Sequence, residues 1–192
     1  MHKKVLLGVL ILTSIQMVSQ DKKWSIEANY PISVGDDLGN DNPGILDIGL
    51  KYRFLDFNIV QLGAGINTGV FRDNIESFTI PSDFDFTETN WVIQPKVFAE
   101  FRIPALKRLR PSIGLGYTII RSRFKGDIFG RNEDTTNTDG GLNLNLGVSY
   151  DIAKWLFIQA QYDYVRFNIR EEGFPDINDD LGFLKAGVGF RF

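Results

Sequence analysis

Charged side chains in this 192-residue chain fall at every second position inside otherwise apolar runs. The set is Glu27, Asp47, Lys51, Arg53, Lys96, Glu100, Arg102, Asp151, Asp163, Lys185 and Arg191. Carboxylates and cations mixed in this way can neutralise one another, relay protons or line a polar path, and which of these applies depends on where they point. Metal chemistry has little to work with. His2 is the only histidine and there is no cysteine, so the ligands zinc most often takes are missing, a zinc site is not expected and no disulfide forms. Glycine alternations such as Gly63 to Gly65 are strand spacings, since no helix N-terminus follows them to cradle a phosphate. No cofactor and no metal site is expected.

The elements that carry these charges are strands. Residues of a strand alternate between its two faces, so a period of two in polarity marks a sheet with one apolar side. Trp24 to Val34 sets Ile26, Ala28, Tyr30 and Ile32 against Ser25, Glu27, Asn29 and Ser33. The same pattern recurs over 45–54, about 60–70, about 89–103, about 111–121, 142–152, 156–164 and 181–192, which makes eight strands. The charged members of each set then share a face with amides and glycines, opposite leucines, isoleucines and aromatics. Pro31 and Pro95 lie inside proposed strands, where a missing N–H removes a ladder bond, so a bulge or local irregularity is expected at each.

Connections between these strands run long, short, long, short, long, short, long. An up-and-down membrane barrel has that rhythm, with long outer loops, short periplasmic turns and both chain ends on the periplasmic side. Each run offers enough residues for a span tilted near 45°, which takes about 9 to 11. Trp24, Phe54, Phe101, Tyr150, Trp155 and Phe192 fall toward the short turns and Trp91, Tyr164 and Tyr30 toward the long loops, as two interfacial girdles would. The fold class read here is all-β: an eight-stranded antiparallel up-and-down transmembrane barrel. Unpaired basic residues near mid-bilayer cost about 2–4 kcal/mol each, so the charged face must be the lumen. The lumen is read as a largely filled, salt-bridged plug inside a surface or scaffold protein, since an eight-stranded interior is only just filled by side chains and inward glycines more often serve close packing; a narrow path for small solutes, using the space the glycines leave, is the alternative. A soluble lipocalin-like carrier, with the apolar face turned inward, shares the same alternation.

The last strand carries a further signal: Leu184, Ala186, Val188, Phe190 and Phe192 alternate up to a terminal aromatic. In this the chain resembles the bacterial outer-membrane β-barrel family, in particular small barrels of the OmpX and OmpA transmembrane-domain type and the PorT-like outer membrane protein β-barrel group. The resemblance implies that barrel-assembly machinery reads this strand and closes the barrel with it, and that the protein sits in the outer membrane of a Gram-negative bacterium as a monomer among lipid and glycolipid. Barrel lipases, deacylases and proteases of the resembled kind use a histidine, so the absence of one after His2 implies a non-enzymatic protein with no catalytic residues. An extracellular partner would then be met by the loops. No domain is expected after Phe192, which would depart from full-length OmpA-like proteins and leave no peptidoglycan-binding role expected.

The first twenty residues have a basic start (His2, Lys3, Lys4), an apolar run over Val5 to Leu12 and Ser19 near a cleavage position, the pattern of a secretory leader. Residues 21–192 then form the barrel domain. Losing Lys3 and Lys4 takes the net charge from −3 to −5, leaving no basic surface of the kind nucleic acid requires. The long loops are acidic (Asp36, Asp37 and Asp41; Asp73, Glu76, Asp83, Asp85 and Glu88; Glu171, Glu172, Asp176, Asp179 and Asp180), except that Arg123, Lys125 and Arg131 balance the third. Calcium suits carboxylates, but no loop has EF-hand spacing, and a rim of solvated charge bridged by free cations is the simpler expectation. The alternating Phe78, Ile80, Phe84 and Phe86 would extend the third and fourth strands as a hairpin beyond the membrane.

Overall fold

A computed structural model of the chain describes residues 22–34, 44–76, 85–128, 131–169 and 177–192. Eight strands follow one another: β1 (Trp24–Val34), β2 (Leu46–Asp56), β3 (Val60–Glu76), β4 (Asp85–Phe101), β5 (Leu109–Ile128), β6 (Arg131–Asp151), β7 (Leu156–Ile169) and β8 (Ile177–Arg191). Each pairs antiparallel with its neighbours in sequence, and β1 pairs with β8, so the sheet is a closed barrel with no free edge. The seam runs from Ser25 against Arg191 to Val34 against Gly182. Trp24 and Phe192 exchange two backbone hydrogen bonds of 2.9 Å and extend the seam to the last residue.

Side chains sort onto the two faces by parity, as the period of two requires. Outward positions are apolar and uncovered, among them Ile26, Leu50, Val97, Leu115, Leu142, Ile158 and Val188. Inward positions hold Glu27, Asp47, Lys51, Lys96, Glu100, Asp163 and Lys185, each at most 6 % exposed. A soluble carrier would have the opposite arrangement, an apolar interior in a polar jacket. At the end of the barrel with the short turns Trp24 lies against Tyr52 with ring centroids 4.5 Å apart, and Trp155 stacks on Phe190 at 5.5 Å. Trp91 and Tyr30 are half exposed toward the other end.

The expectation for the polar stretches changes, and those for the two prolines take a particular form. The described parts of the polar stretches 72–88 and 122–140 are strand rather than connection: β3 and β4 stay paired up to Glu76 against Asp85, and β5 and β6 up to Ile128 against Arg131. Threonines and alternating charges suit a sheet wetted on both faces, so polarity here marks the end of the membrane and not the end of the strand. At Pro95 the expected irregularity takes the form of a lapse in pairing rather than a bulge. The β4–β5 pairing lapses between Ile93 against Ile119 and Lys96 against Gly116, then resumes in the same register. Pro31 pairs with Lys185 on the β8 side, while the β1–β2 pairs end at Asn29. The register shift in this part of the barrel lies instead between Arg53 and Leu55, next to the turn that holds Asn58 at a φ of 63°. Residues 1–20, expected to be a leader, lie outside the described residues. So do Asp36, Asp37, Asp41, Asp83, Glu171, Glu172 and Asp176 of the acidic loops, and Phe78, Ile80 and Phe84.

Candidate functional site

Among the described residues the lumen is where buried polar side chains gather, and it is layered. At the periplasmic end Arg53 donates to Glu100 at 2.8 Å and to Ser25 at 3.2 Å. Arg110 reaches Glu100 at 3.3 Å and Asp151 at 2.8 Å. Arg191 pairs with Asp151, lies 3.6 Å from Glu100 and donates to Ser149 at 2.8 Å. Three guanidiniums share two carboxylates. Planar forks of this kind satisfy carboxylate lone pairs two at a time, which is why arginine rather than lysine suits a crowded ionic layer.

Two rings separate this layer from the next. The Arg191 guanidinium lies 4.0 Å from the centroid of Phe157, and Arg53 and Lys51 lie 5.8 and 5.7 Å from that of Phe98. Inward glycines make room for the rings: a Cβ at Gly189 would overlap Phe157, and one at Gly63 would overlap Phe98. The space left by these glycines is occupied by aromatic carbon.

Above the rings comes a second ionic layer. Lys51 pairs with Glu27 at 2.8 Å, and Glu27 also accepts from Gln159 at 2.9 Å and Gln161 at 3.1 Å. Lys185 sits between Asp47 and Asp163, 2.9 Å from each, and donates to Gln94. Asp47 accepts from Asn29 at 2.9 Å and Asn67 at 2.7 Å, and Asn145 donates to Asp163. Lys96 donates to Gln161 at 3.3 Å. Three lysines here face three carboxylates. A buried charge is tolerated only when it is paired and its remaining hydrogen-bonding capacity is met, and the amides meet it.

The extracellular end of the lumen is apolar. Phe71, Val92, Ile120, Val165, Phe167, Leu181 and Phe183 form one buried cluster, with Phe71 and Phe183 ring centroids 5.3 Å apart. These residues have the inward parity of their strands: Phe183 and Leu181 follow Lys185 at steps of two, and Val165 and Phe167 follow Asp163. Continuing the alternation past the charges would have found them.

Ten of the eleven charged residues picked out by their spacing lie in the two ionic layers. Arg102 does not. It stands beyond the end of β4 at the periplasmic turn, donating to Asp56 at 3.0 and 2.6 Å with both side chains more than a third exposed. Slight burial pushes the Asp56 carboxyl up, but the Arg102 guanidinium and the Asn58 N–H outweigh it and hold the group below its ordinary value. Arg110 is the member that spacing missed: the alternation places that strand over about 111–121, whereas Arg110 is the second residue of β5. Leu184, Ala186, Val188 and Phe190 are exposed on the outer face of β8, and Phe192 lies half-buried at the seam. Among the described residues no group of three or more acidic side chains is placed to hold a metal ion.

A model of the outer membrane protein beta-barrel domain matches residues 5–192. The chain belongs to this family. It is an integral barrel of the Gram-negative outer membrane, and the family's architecture agrees with the closed eight-stranded sheet and its apolar outer face. Among solved structures it is similar to the attachment invasion locus protein Ail of Yersinia pestis, in complex with the heparin analogue sucrose octasulfate, at 19 % identity over 88 % of this chain and 96 % of that one, with a TM-score of 0.56. It is also similar to Neisserial surface protein A, at 21 % identity over 88 % and 96 % with a TM-score of 0.52. A major outer membrane protein from Thermus thermophilus gives 10 % identity over 88 % and 98 % with a TM-score of 0.55. These likenesses are of fold. A comparison with curated proteins gives no match.

Proposed function

We propose that this family member is a non-enzymatic surface or scaffold protein, monomeric, whose lumen is closed and whose outer end meets an extracellular partner. The observation that carries the reading is the stacking of an apolar layer on two paired ionic layers across a lumen of eight strands. An eight-stranded interior is only just wide enough for side chains to fill, and here Phe183, Val165, Lys185 and Asp163 are all essentially inaccessible. A wall braced in this way supports paired strands that stand clear of the membrane, β5 and β6 above all. No histidine or cysteine lies in the barrel to serve as nucleophile or base. In the same proposal, the β8 face from Leu184 to Phe192 is what the assembly machinery engages, and residues 1–20 are the leader that directs export.

A narrow conduit is the second reading, favoured by one feature. Asn67 Oδ1 and Asn143 Oδ1 are buried in the lumen without a protein partner, and such acceptors are met by water in proteins. Liposome swelling separates the two. Vesicles carrying the folded barrel are expected to swell in isotonic arabinose no faster than empty ones; swelling that scales with protein content would overturn the closed lumen.

A further inference from the structure

One short turn of the barrel is basic although the chain as a whole is acidic. The protein carries a net charge of −3, yet the turn between β4 and β5, Arg102 to Arg108 (RIPALKR), holds three cations and no carboxylate. Arg102 is paired with Asp56. Lys107 and Arg108 are exposed, and neither side chain forms a hydrogen bond or salt bridge among the described residues. The turn itself is braced: the Leu106 N–H donates to the Ile103 carbonyl at 2.9 Å and the Leu109 N–H to that of Leu106 at 2.8 Å. The Arg102 N–H donates to the Ile59 carbonyl at 2.7 Å, which ties this turn to the one between β2 and β3. Leu106, Phe57 and Ile59 on the two turns are each more than half exposed. Bare apolar side chains beside free cations suit the headgroup boundary of a bilayer, where hydrocarbon meets phosphate.

Next to this turn the lipid-facing wall is hollow. In the row formed by Leu62, Ala99 and Ile113 the middle side chain is the small one. An apolar groove of about 400 Å³ runs over it, lined by Leu62, Val97, Ala99, Ile113 and Leu115 together with Phe54. Ala99 stands three residues before Arg102, a rise of about 8 Å along the membrane normal for a strand tilted by about 40°. That is within the roughly 15 Å occupied by one leaflet's acyl chains. The groove faces hydrocarbon, so an acyl chain is what fills it, and the cations at its foot decide which headgroup that chain belongs to.

We infer that this flank is a binding site for an anionic phospholipid of the periplasmic leaflet, its phosphate held by Lys107 and Arg108 and one acyl chain seated over Ala99. The inference goes beyond the proposed function; it rests on the barrel's place and direction in the membrane and not on the closure of the lumen. Both cations bind phosphate, the guanidinium through paired N–H donors and the ammonium as a point charge. A zwitterionic phospholipid brings its own ammonium to the same place and so loses that advantage. A soluble polyanion of the periplasm meets the cations but makes no use of the groove. Each cation close to an anionic membrane surface contributes about fivefold in binding.

The test uses the folded chain in nanodiscs of equimolar phosphatidylglycerol and phosphatidylethanolamine, with the lipids retained on each barrel counted by native mass spectrometry after detergent exchange. The native barrel is expected to keep phosphatidylglycerol in preference to phosphatidylethanolamine. That preference is expected to fall by about tenfold or more in Lys107→Gln/Arg108→Gln, and to persist in Lys154→Gln, which removes a cation from the turn between β6 and β7. Ala99→Leu, which fills the groove, is expected to lower the number of phosphatidylglycerol molecules retained. An unchanged preference in the double variant, an equal loss in Lys154→Gln, or full retention in Ala99→Leu would each overturn the site. Displacement of phosphatidylglycerol by soluble polyglutamate would also overturn it, in favour of a soluble acidic partner. Heat-modifiable migration on a gel confirms that each variant is folded, and if the double variant is not, Lys107→Gln alone must lower the preference about fivefold.

Discussion

The two ends of the lumen solve the same problem by opposite means. The periplasmic two-thirds is filled with charge, and each carboxylate there is matched by a guanidinium, an ammonium or an amide, as Glu100 is by Arg53 and Arg110. The extracellular third is filled with Phe71, Phe183 and five aliphatic or aromatic neighbours that need no partner. The first kind of packing is specific and brittle, because removing one member strands another in a dry interior. The second is tolerant of rearrangement and excludes water. The contrast assigns registry of the wall to the ionic layers and sealing to the apolar one.

Lys185→Met should cost most. It leaves Asp47 and Asp163 facing each other without their shared cation, and breaking a buried pair in this way costs about 3–5 kcal/mol. Urea unfolding in lipid vesicles is expected to show that loss, with partial recovery when Asp163→Asn is added. No recovery in the double variant would mean that lysine packing, and not charge balance, holds this layer. Phe183→Ala comes next, at about 3 kcal/mol for the cavity, the low end of the usual range because Phe71 can move into the space. If it costs as much as Lys185→Met, the distinction between a brittle layer and a tolerant one fails.

Arg102→Gln marks the bottom of the scale. Its pair with Asp56 is exposed, and such pairs contribute under about 1 kcal/mol. Because the folded Asp56 carboxyl titrates below its ordinary value, the contribution is present above the unfolded pKa of about 3.9 and is lost as pH falls through the lower, folded pKa. Native and variant stabilities are therefore expected to differ slightly at neutral pH and to converge in acid below about 4. A difference that persists or grows in acid would place Arg102 in some other interaction.

Strand number, facing and closure were legible because a period of two is a property of the chain itself and survives averaging over eight strands. Residues such as Leu144, Ile158 and Lys51 declare their side without reference to anything distant. What was not legible depends on where the membrane stops. Arg131 to Gly140 is polar on both faces, so periodicity is silent there, and only its pairing with Ile119 to Ile128 reveals strand. Arg102 keeps the parity of Glu100 but lies past the end of β4, where parity no longer fixes direction. The pairing of Lys185 with both Asp47 and Asp163 joins β8 to β2 and β7, a contact across the barrel that local spacing cannot encode.

Single-channel recording in planar bilayers tests the sealed lumen most directly, comparing the native chain with Phe71→Ala/Phe183→Ala. Silence from the native barrel and discrete openings from the variant are expected if those rings are the seal. Reproducible steps from the native barrel would contradict it.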